Sequence, residues 1–532
     1  MTTKRKYSRE GEEYRDVASC FQSARSPGRR RGRLEMPALF PIHPQMIADQ
    51  PQANGGLRLP LVTLFALVLI FLTGAKHCAA AQRVLRVRDF GAAGNGTTLD
   101  TVAIQKALNE AGAMGGATVV VQPGTYLSGS LFIKSHTRLV LDKGATILGT
   151  TQKSAYPLVE TRAAGIDMRW PAALVNVAGQ TDVSIEGPGT IDGNGEPWWH
   201  EFWSLLPAYK SRGLRWALDY DVQRPELLRI YKSSSVRIGH GLLLKRSAFW
   251  TVHICYSTHV VVDGVKIRNN PADGARGPST DGVDIDSSSH ILVEKVDIEN
   301  NDDGICLKAG MNADGLRVDR PTEDVVIRDS IIRQAISGIA IGSDTAGGFK
   351  NIRVSGITIL SGVRYGIYFK STRTRGGWTD NVNISHVTMH GVKTAIMVDL
   401  NYFPAFSTPK IPPGIENNLP PGLHSIPSFW GILTEPVPPK LGIPHFHDVT
   451  LKDIRGMNVG TAFSVNAAAE APLVRFTLKN IRIRAQRAGH IRYARAWRFE
   501  DVKVWARDPK PLQLVDVEQA KGAVRQFKTA SP

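Results

Sequence analysis

The 532-residue sequence has only four cysteines, and it lacks the cysteine and histidine spacing that is typical of a metal site. Cys20 and Cys78 fall in a segment that we predict is removed. Cys255 and Cys306 remain, and they could either pair in an oxidising compartment or stay as buried thiols. The sequence therefore predicts no metal and no cofactor.

Long apolar runs are also scarce, because Leu59–Thr73 is the only membrane-like segment. This run is short for a spanning helix, which needs about 20 residues. Arg58 precedes it, and the small residues at 79–81 follow it, as at a signal-peptidase site. We predict a signal peptide at residues 59–81 and a secreted or periplasmic protein that has no membrane segment after cleavage.

Residues 1–58 form a basic extension that is too long for an ordinary leader. Met46 would give a leader of normal length, so a mis-called start is one interpretation. A cytoplasmic tail joined to a signal anchor is the competing one.

The net charge is +17, and about +11 of it lies after residue 81, because residues 1–81 hold twelve Lys and Arg against six Asp and Glu. A basic secreted protein attracts acidic partners over long range. An acidic polysaccharide or oligosaccharide fits this charge better than nucleic acid does; the family resemblance described below implies that it is of plant type. We also predict a monomeric protein.

The 3.6-residue periodicity of helical solenoids is absent, and a repeat of short alternating strands is present instead. The strand patterns begin at Val236, Val260, Ile291, Val325, Ile352, Val382, Val449 and Phe476. A unit of this length cannot bury its own apolar face, so it must stack on its neighbours. We predict an all-β fold, a right-handed parallel β-helix (solenoid) over residues 82–510, followed by a polar C-terminal tail at 511–532.

Two insertions interrupt the repeat, near residues 194–222 and 402–444. Both contain aromatic residues, which either stack on sugar rings beside a cleft or pack the insertions onto the solenoid: Trp198, Trp199, Trp203, Trp216, Tyr402, Phe403, Phe406 and Trp430. The insertions could wall off one end of a cleft, which would favour access by the end of a polymer chain (exo action) over its middle. A helix is predicted at Thr101–Ala111, with Asp100 capping its N-terminus and the helix covering the first coil.

Two acidic clusters follow successive strand patterns, one at Ser279–Asp284 and the other at Asn301–Gly304. Adjacent strands lie about 4.8 Å apart, so Asp281, Asp302 and Asp303 should converge. Crowded carboxylates raise each other's pKa values, which suits one as an acid and another as a base.

These clusters, STDGVDIDSS and NNDDGICLKAG, together with the opening FGAAGNGTTLDTVAIQKALNEAG, resemble glycoside hydrolase family 28, the polygalacturonase-like enzymes. The resemblance extends to about residue 505. Two family motifs are altered: the motif histidine is missing near Ala335–Ser337, and the motif arginine is replaced at Tyr368, two residues before the retained Lys370.

The resemblance implies a secreted enzyme that cleaves glycosidic bonds of pectic polysaccharide or oligogalacturonide, with Asp302 as general acid. Asp281 and Asp303 would hold the attacking water, in an inverting mechanism. Hydrolysis of rhamnogalacturonan or another branched pectic chain, a calcium-dependent pectate lyase and a non-catalytic carbohydrate-binding β-helix are the alternatives.

Four further residues are predicted to bind substrate. Lys370 lies about two coils from the acids and could pair with a uronate carboxylate or lower the pKa of an aspartate. His253 lies one coil before Asp281 and could line a sugar subsite. Arg373 and Arg375 follow on a loop and could replace the missing arginine.

Overall fold

The computed structural model describes residues 83–239, 241–271 and 274–528. The predicted basic extension and signal peptide lie outside these residues. Within the described ranges, no helix is both long enough and apolar enough to span a bilayer.

Strands account for about half of the described chain and far exceed the helices, and the predicted all-β class is confirmed. Helices occupy Thr101–Ala113, Glu196–Ser211, Arg215–Asp221, Asn312–Val318, Pro404–Ser407, Phe429–Leu433 and Pro439–Gly442. The strands are β1 Val84–Arg86, β2 Asn95–Leu99, β3 Thr118–Val121, β4 Gly124–Ser128, β5 Leu131–Phe132, β6 Arg138–Leu141, β7 Ala145–Gly149, β8 Leu158–Ala163, β9 Ile166–Pro171, β10 Val175–Ala178, β11 Thr181–Glu186, β12 Thr190–Asp192, β13 Leu228–Tyr231, β14 Ser234–Gly239, β15 Leu243–Lys245, β16 Val252–Cys255, β17 Thr258–Asp263, β18 Lys266–Arg268, β19 Val283–Asp286, β20 Ser289–Glu294, β21 Asp297–Glu299, β22 Ile305–Lys308, β23 Thr322–Ile341, β24 Phe349–Lys370, β25 Trp378–His390, β26 Thr394–Asp399, β27 His445–Asn466, β28 Leu473–Arg495, β29 Arg498–Ala506, β30 Gln513–Glu518 and β31 Lys521–Lys528.

The strands form a parallel stack in which equivalent strands of successive coils pair, except that β8 and β9 pair with each other as an antiparallel hairpin. The predicted repeat starts pair with one another in this order: Val236, Val260, Ile291, Val325, Ile352, Val382, Val449 and Phe476. The predicted register is therefore confirmed. Because Val382 pairs directly with Val449, the longest interval is one coil plus an insertion.

Apolar side chains stack inside the coils and fix this register. One such column contains Ile230, Ile254, Ile285, Leu307, Ile341, Phe369, Val398, Val465 and Ile491, all buried. Each buried side chain of this kind contributes roughly 1.5–3 kcal/mol. A slip of one residue would turn the whole column outward, so burial specifies the pairing.

The N-terminal helix buries the residues expected of it, namely Ile104, Ala107, Leu108 and Ala111. The predicted cap is wrong, because the Asp100 side chain makes no cap hydrogen bond to the helix. Its carboxylate instead accepts hydrogen bonds from the backbone N–H groups of Ala93 at 2.7 Å and Gly94 at 3.0 Å.

The chain after residue 511 differs from the expected polar tail. β30 pairs with β28, and β31 pairs with β29. The solenoid therefore continues to residue 528, with strands whose outward positions are mostly polar. The remaining cysteines, Cys255 and Cys306, are buried free thiols.

The two insertions and the β8–β9 hairpin pack together into one insertion lobe, which we define as residues 158–171, 194–222 and 402–444. Trp216 and Trp430 meet edge to face at 5.2 Å. These two tryptophans and Trp198 and Trp199 are buried, so packing rather than sugar stacking explains them.

Candidate active site

The turns that carry the two acidic clusters lie one above the other, because β19 and β22 pair in register from Val283 and Ile305 onward. One side-chain oxygen from each of Asp281, Asp302 and Asp303 lies within 4.8 Å of the other two. The predicted convergence is thus present in the structure.

Two glycines allow the turns to approach closely. A Cβ atom on Gly282 would lie 2.4 Å from the carbonyl oxygen of Gly304, and one on Gly304 would lie 2.8 Å from that of Gly338. Any larger residue would push the coils apart at the position where the carboxylates meet.

Asp303 is a buried carboxylate with two strong partners. Ser337 Oγ donates a hydrogen bond to Oδ1 at 2.6 Å, and Lys370 Nζ donates one to Oδ2 at 2.6 Å. Although burial favours the neutral form, the ammonium groups of Lys370 and Lys308 hold the pKa of Asp303 below its usual value. Asp303 is therefore ionised, and Lys370 contacts it directly.

Asp302 is the partly exposed member of the group. The backbone N–H of Asp303 donates to its Oδ1 at 3.0 Å. Loss of solvation within the protein, and then the charges of Asp281 and Asp303, raise the pKa of Asp302 well above its usual value. This carboxyl is suited to carry a proton.

Lys308 is a site residue that the sequence analysis did not single out. Its Nζ lies 3.4 Å from Asp281 Oδ2 and 3.4 Å from Asp284 Oδ1, and 4.5 Å from the centre of the Trp250 ring. Lys308 lies within the motif NNDDGICLKAG, on the strand that follows the Asp302–Asp303 pair. This position could have indicated that its side chain lies near the acidic cluster.

Lys308 stands between two buried carboxyls that would otherwise repel each other. Burial raises the pKa of Asp281, with a further contribution from Asp303, and Lys308 opposes the shift. Burial and the charge of Asp281 raise the pKa of Asp284 well above its usual value. Asp284 therefore favours its neutral form beside Lys308.

His253 differs from its predicted place at a sugar subsite, because its side chain is fully buried. Nδ1 lies 2.9 Å from Glu226 Oε1, and Nε2 lies 3.7 Å from Asp286 Oδ2. The guanidinium of Arg162 adds a positive charge, 3.0 Å from Asp286 Oδ1. The ring is part of an interior ion network and has no surface to offer a sugar.

The two loop arginines lie in different surroundings. Arg375 is fully buried and pairs with Asp344, so it is not available to a substrate anion. Arg373 is exposed and pairs with Glu470. At the position of the missing motif arginine, Tyr368 is buried, with its ring centre 5.5 Å from Lys370 Nζ.

The insertion lobe is hydrogen-bonded to the segment that leads into the acidic turn. Ser279 Oγ donates to Asp219 Oδ1 at 3.2 Å, and Trp203 Nε1 donates to the carbonyl of Arg276 at 2.7 Å. The lobe therefore lies beside the carboxylates, at one side of the site.

The three carboxyls are close enough to share a cation. Lys370 and Lys308 already bring positive charge to Asp303 and Asp281, and burial with mutual repulsion favours a proton on Asp302. In this arrangement an acid, Asp302, lies beside the ionised carboxylate of Asp303.

Comparison with known proteins places this geometry in a family. The model of glycosyl hydrolases family 28 matches residues 144–417, and a model described as rhamnogalacturonase A/epimerase, pectate lyase-like, matches residues 84–167. A "Probable polygalacturonase" of Vitis vinifera is 32% identical over 324 residues, which cover 59% of this chain and 62% of that protein. The match thus spans less than two thirds of that relative. An endo-polygalacturonase of Pectobacterium carotovorum is 25% identical over 72% of this chain and 84% of its own.

Two solved structures share the fold. A family 28 exopolygalacturonase of Yersinia enterocolitica superposes with a TM-score of 0.65 and 22% identity, covering 83% of this chain and 78% of its own. An exopolygalacturonase of Thermotoga maritima gives a TM-score of 0.57 and 22% identity, over 83% and 92% of the two chains.

Proposed function

Since this chain belongs to glycosyl hydrolases family 28, we propose that it is a glycosidase that hydrolyses the acidic backbone of a pectic polysaccharide or oligogalacturonide. The observation that carries the proposal is the division of charge among three carboxyls, each of which has one oxygen within 4.8 Å of an oxygen of the other two. Asp302 favours a proton, while Asp303 is held ionised. Acid–base cleavage of a glycosidic bond requires such a pair.

In the proposed mechanism, Asp302 protonates the glycosidic oxygen as the bond to the leaving sugar breaks. Asp281 and Asp303 orient a water for attack on the anomeric carbon, and the ionised Asp303 accepts the proton that the water loses. Two oxygens up to 4.8 Å apart can both accept hydrogen bonds from one water, because each such bond spans about 2.8 Å. Lys370 and Lys308 act through the carboxylates they contact, by setting the charge of the water-binding pair.

The stereochemistry of the product tests this assignment. Inverting enzymes usually separate their carboxyls by about 6.5–9.5 Å, and retaining enzymes by about 5–5.5 Å. These ranges describe a pair of carboxyls, whereas three carboxyls meet here with oxygens within 4.8 Å. We propose inversion, because Asp281 and Asp303 together form a water site beside the acid. Proton NMR of the first product would show the inverted anomer, whereas a retained anomer would make one aspartate a nucleophile.

The substrate class is tested with a panel of pectic polymers and oligomers, with Asp302→Asn as the matched variant. We expect de-esterified polygalacturonate to be cleaved by the wild type and not by Asp302→Asn. Activity that persists in EDTA, without the ultraviolet absorbance of an unsaturated product, supports hydrolysis. Loss of activity in EDTA with such a product would support a lyase, and binding without turnover would support a carbohydrate-binding β-helix.

Rhamnogalacturonan or another branched pectic chain is the second candidate substrate. The match of residues 84–167 to the rhamnogalacturonase A/epimerase model supports it, as does Tyr368 at the position of the missing arginine. Preferential cleavage of rhamnogalacturonan in the same panel would favour this candidate.

We propose exo action, because the insertion lobe lies beside the acidic turn through the bond from Ser279 to Asp219. Product length over time tests it: monomers or dimers released from the start fit exo action, and a broad ladder of oligomers fits endo action.

We further propose a right-handed solenoid, the usual hand of parallel crossovers, whose first coil is covered by the helix Thr101–Ala113. We also propose that the protein is secreted after cleavage near residue 81 and that it is a monomer. N-terminal sequencing of the exported protein and light scattering test these two points.

A further inference from the structure

The positive charge of the chain is concentrated at one end of the solenoid. Residues 445–528 hold sixteen Lys and Arg against eight Asp and Glu, whereas residues 82–444 hold 37 against 34. The last coils therefore carry most of the net charge of the described chain, although they lie beyond the coils that bear the catalytic aspartates.

Four of these cations stack on successive rungs. Arg455 pairs with Arg482, Arg482 with Lys503, and Lys503 with Arg525; we call this column the basic ladder. Adjacent rungs are about 4.8 Å apart, close to the length of one pyranose unit. The residue before each of the first three is buried, so the ladder faces outward.

The ladder is only partly neutralised by the protein. Asp501 pairs with Arg482 and with Lys503. Arg455 and Arg525 are exposed and have no carboxylate partner among the residues that the structure describes. Like charges stacked on neighbouring strands destabilise a sheet, so a polyanion laid along the column would relieve repulsion.

An aromatic pair lies two residues further along the same strands. Arg484, Trp505 and Phe527 pair in register. The Trp505 and Phe527 rings are stacked at 5.5 Å, and Phe527 is 42% exposed. Arg484 lies over the Trp505 ring at 5.6 Å, so the exposed Phe527 is the member of the stack that can contact the C–H face of a sugar, beside cations that suit its carboxylate.

We propose that the basic ladder and the Trp505–Phe527 pair form a second binding surface for an acidic polysaccharide, separate from the catalytic site. This deepens the proposed function and rests on it for the class of polymer. The column continues from Asp297 through Ile331, Thr358 and Thr388 to Arg455, and β21, which contains Asp297, leads into the turn with Asp302. Four rungs put Arg455 about 19 Å along the axis from that strand.

Such a surface would hold a long chain near the site without taking part in the reaction. Its contribution is a higher local concentration of substrate, which lowers KM for a polymer. A di- or trisaccharide is too short to reach from the site to the ladder, so its kcat/KM would be independent of the ladder.

The test compares two double variants that remove the same charge. Arg455→Gln with Arg525→Gln alters the ladder, while Lys143→Gln with Arg353→Gln removes two exposed cations elsewhere. Binding of de-esterified polygalacturonate is measured by calorimetry in an Asp302→Asn background at low salt, and KM for polymer and trimer is measured in the active enzyme.

We expect the ladder variant to bind the polymer roughly 3- to 30-fold more weakly, the range expected for the loss of two exposed ion pairs. The control variant should retain most of the affinity, trimer kinetics should not change, and Phe527→Ala should weaken binding further. Fully methyl-esterified polymer should not bind the ladder.

Equal losses in the two double variants, or no loss in either, would overturn the proposal. The proposal would also be overturned if the ladder bound single-stranded DNA more tightly than it bound polygalacturonate. If the wild type binds the polymer through the ladder but cleaves no uronate, the proposed activity fails while the second surface stands.

Discussion

Lys370 Nζ donates a 2.6 Å hydrogen bond to Asp303 Oδ2, joining side chains 67 positions apart in the chain. Both groups are buried. The contact therefore explains why one carboxyl of the cluster is ionised while its neighbour Asp302 favours a proton.

Replacing Lys370 with Gln should move the acid limb of the kcat/KM profile to higher pH. Lys370 lowers the pKa of Asp303, so its loss raises that pKa, and ionised Asp303 then persists only at higher pH. The profile is measured against Ser337→Ala, which removes a neutral donor and should shift the limb less in the same direction. An unchanged acid limb would contradict the assignment of Asp303 to the water.

Asp302→Asn should abolish turnover and leave the fold at least as stable. General acid catalysis contributes about 10²–10⁴-fold, and the amide oxygen can still accept from the N–H of Asp303. Because the pKa of Asp302 is raised in the folded state, its charge opposes folding above the ordinary pKa of 3.8.

Urea unfolding at two pH values checks this account of Asp302. The variant should be as stable as the wild type or more so near neutral pH, and the difference should vanish below the ordinary carboxyl pKa. A variant that is less stable only near neutral pH would instead assign Asp302 a stabilising ion pair.

Lys308→Met should cost about 3–5 kcal/mol in the free energy of unfolding, the usual result of removing one partner of a buried pair. It leaves Asp281 and Asp284 without their cation. Adding Asp281→Asn should restore part of the stability, because it removes the carboxylate that has lost its cation. Additive losses in the double variant, measured by urea titration, would exclude this coupling.

His253→Gln should destabilise the protein and leave KM unchanged. Although burial favours the neutral ring, Glu226 and Asp286 hold the pKa of His253 well above 6.5. Its stabilising contribution is therefore fully present below pH 6.5 and is lost as pH rises through the folded-state pKa. We expect a loss of about 3 kcal/mol at pH 6 that shrinks in alkaline solution. A raised KM with unchanged stability would return His253 to a sugar subsite.

The order of the coils was predictable because burial acts on every repeat in the same way. Val382 and Val449 could be matched across a long insertion since both begin the same inward-facing pattern. Asp281, Asp302 and Asp303 could be brought together for the same reason: stacking converts a spacing of one coil into a contact.

The environment of individual polar side chains was harder to predict from the sequence. Asp100 precedes a helix and reads as a cap, yet backbone N–H groups of a preceding loop compete for its carboxylate. His253 lies one coil before Asp281, and Arg375 follows Lys370 on a loop, so both suggest a cleft. Partners distant in sequence, Glu226 and Asp344, hold their side chains inside instead. Strand pairing does not specify such contacts between loops and interior charges.

The in-register stack also determines where the protein can open. In a solenoid each coil touches only its neighbours, so unfolding begins at the two ends and proceeds inward. The turn with Asp302 has coils on both sides, from β1 at one end to β31 at the other. Fraying of the terminal coils can therefore proceed while the carboxylates stay aligned, and loss of activity on heating should lag behind the first loss of strand content.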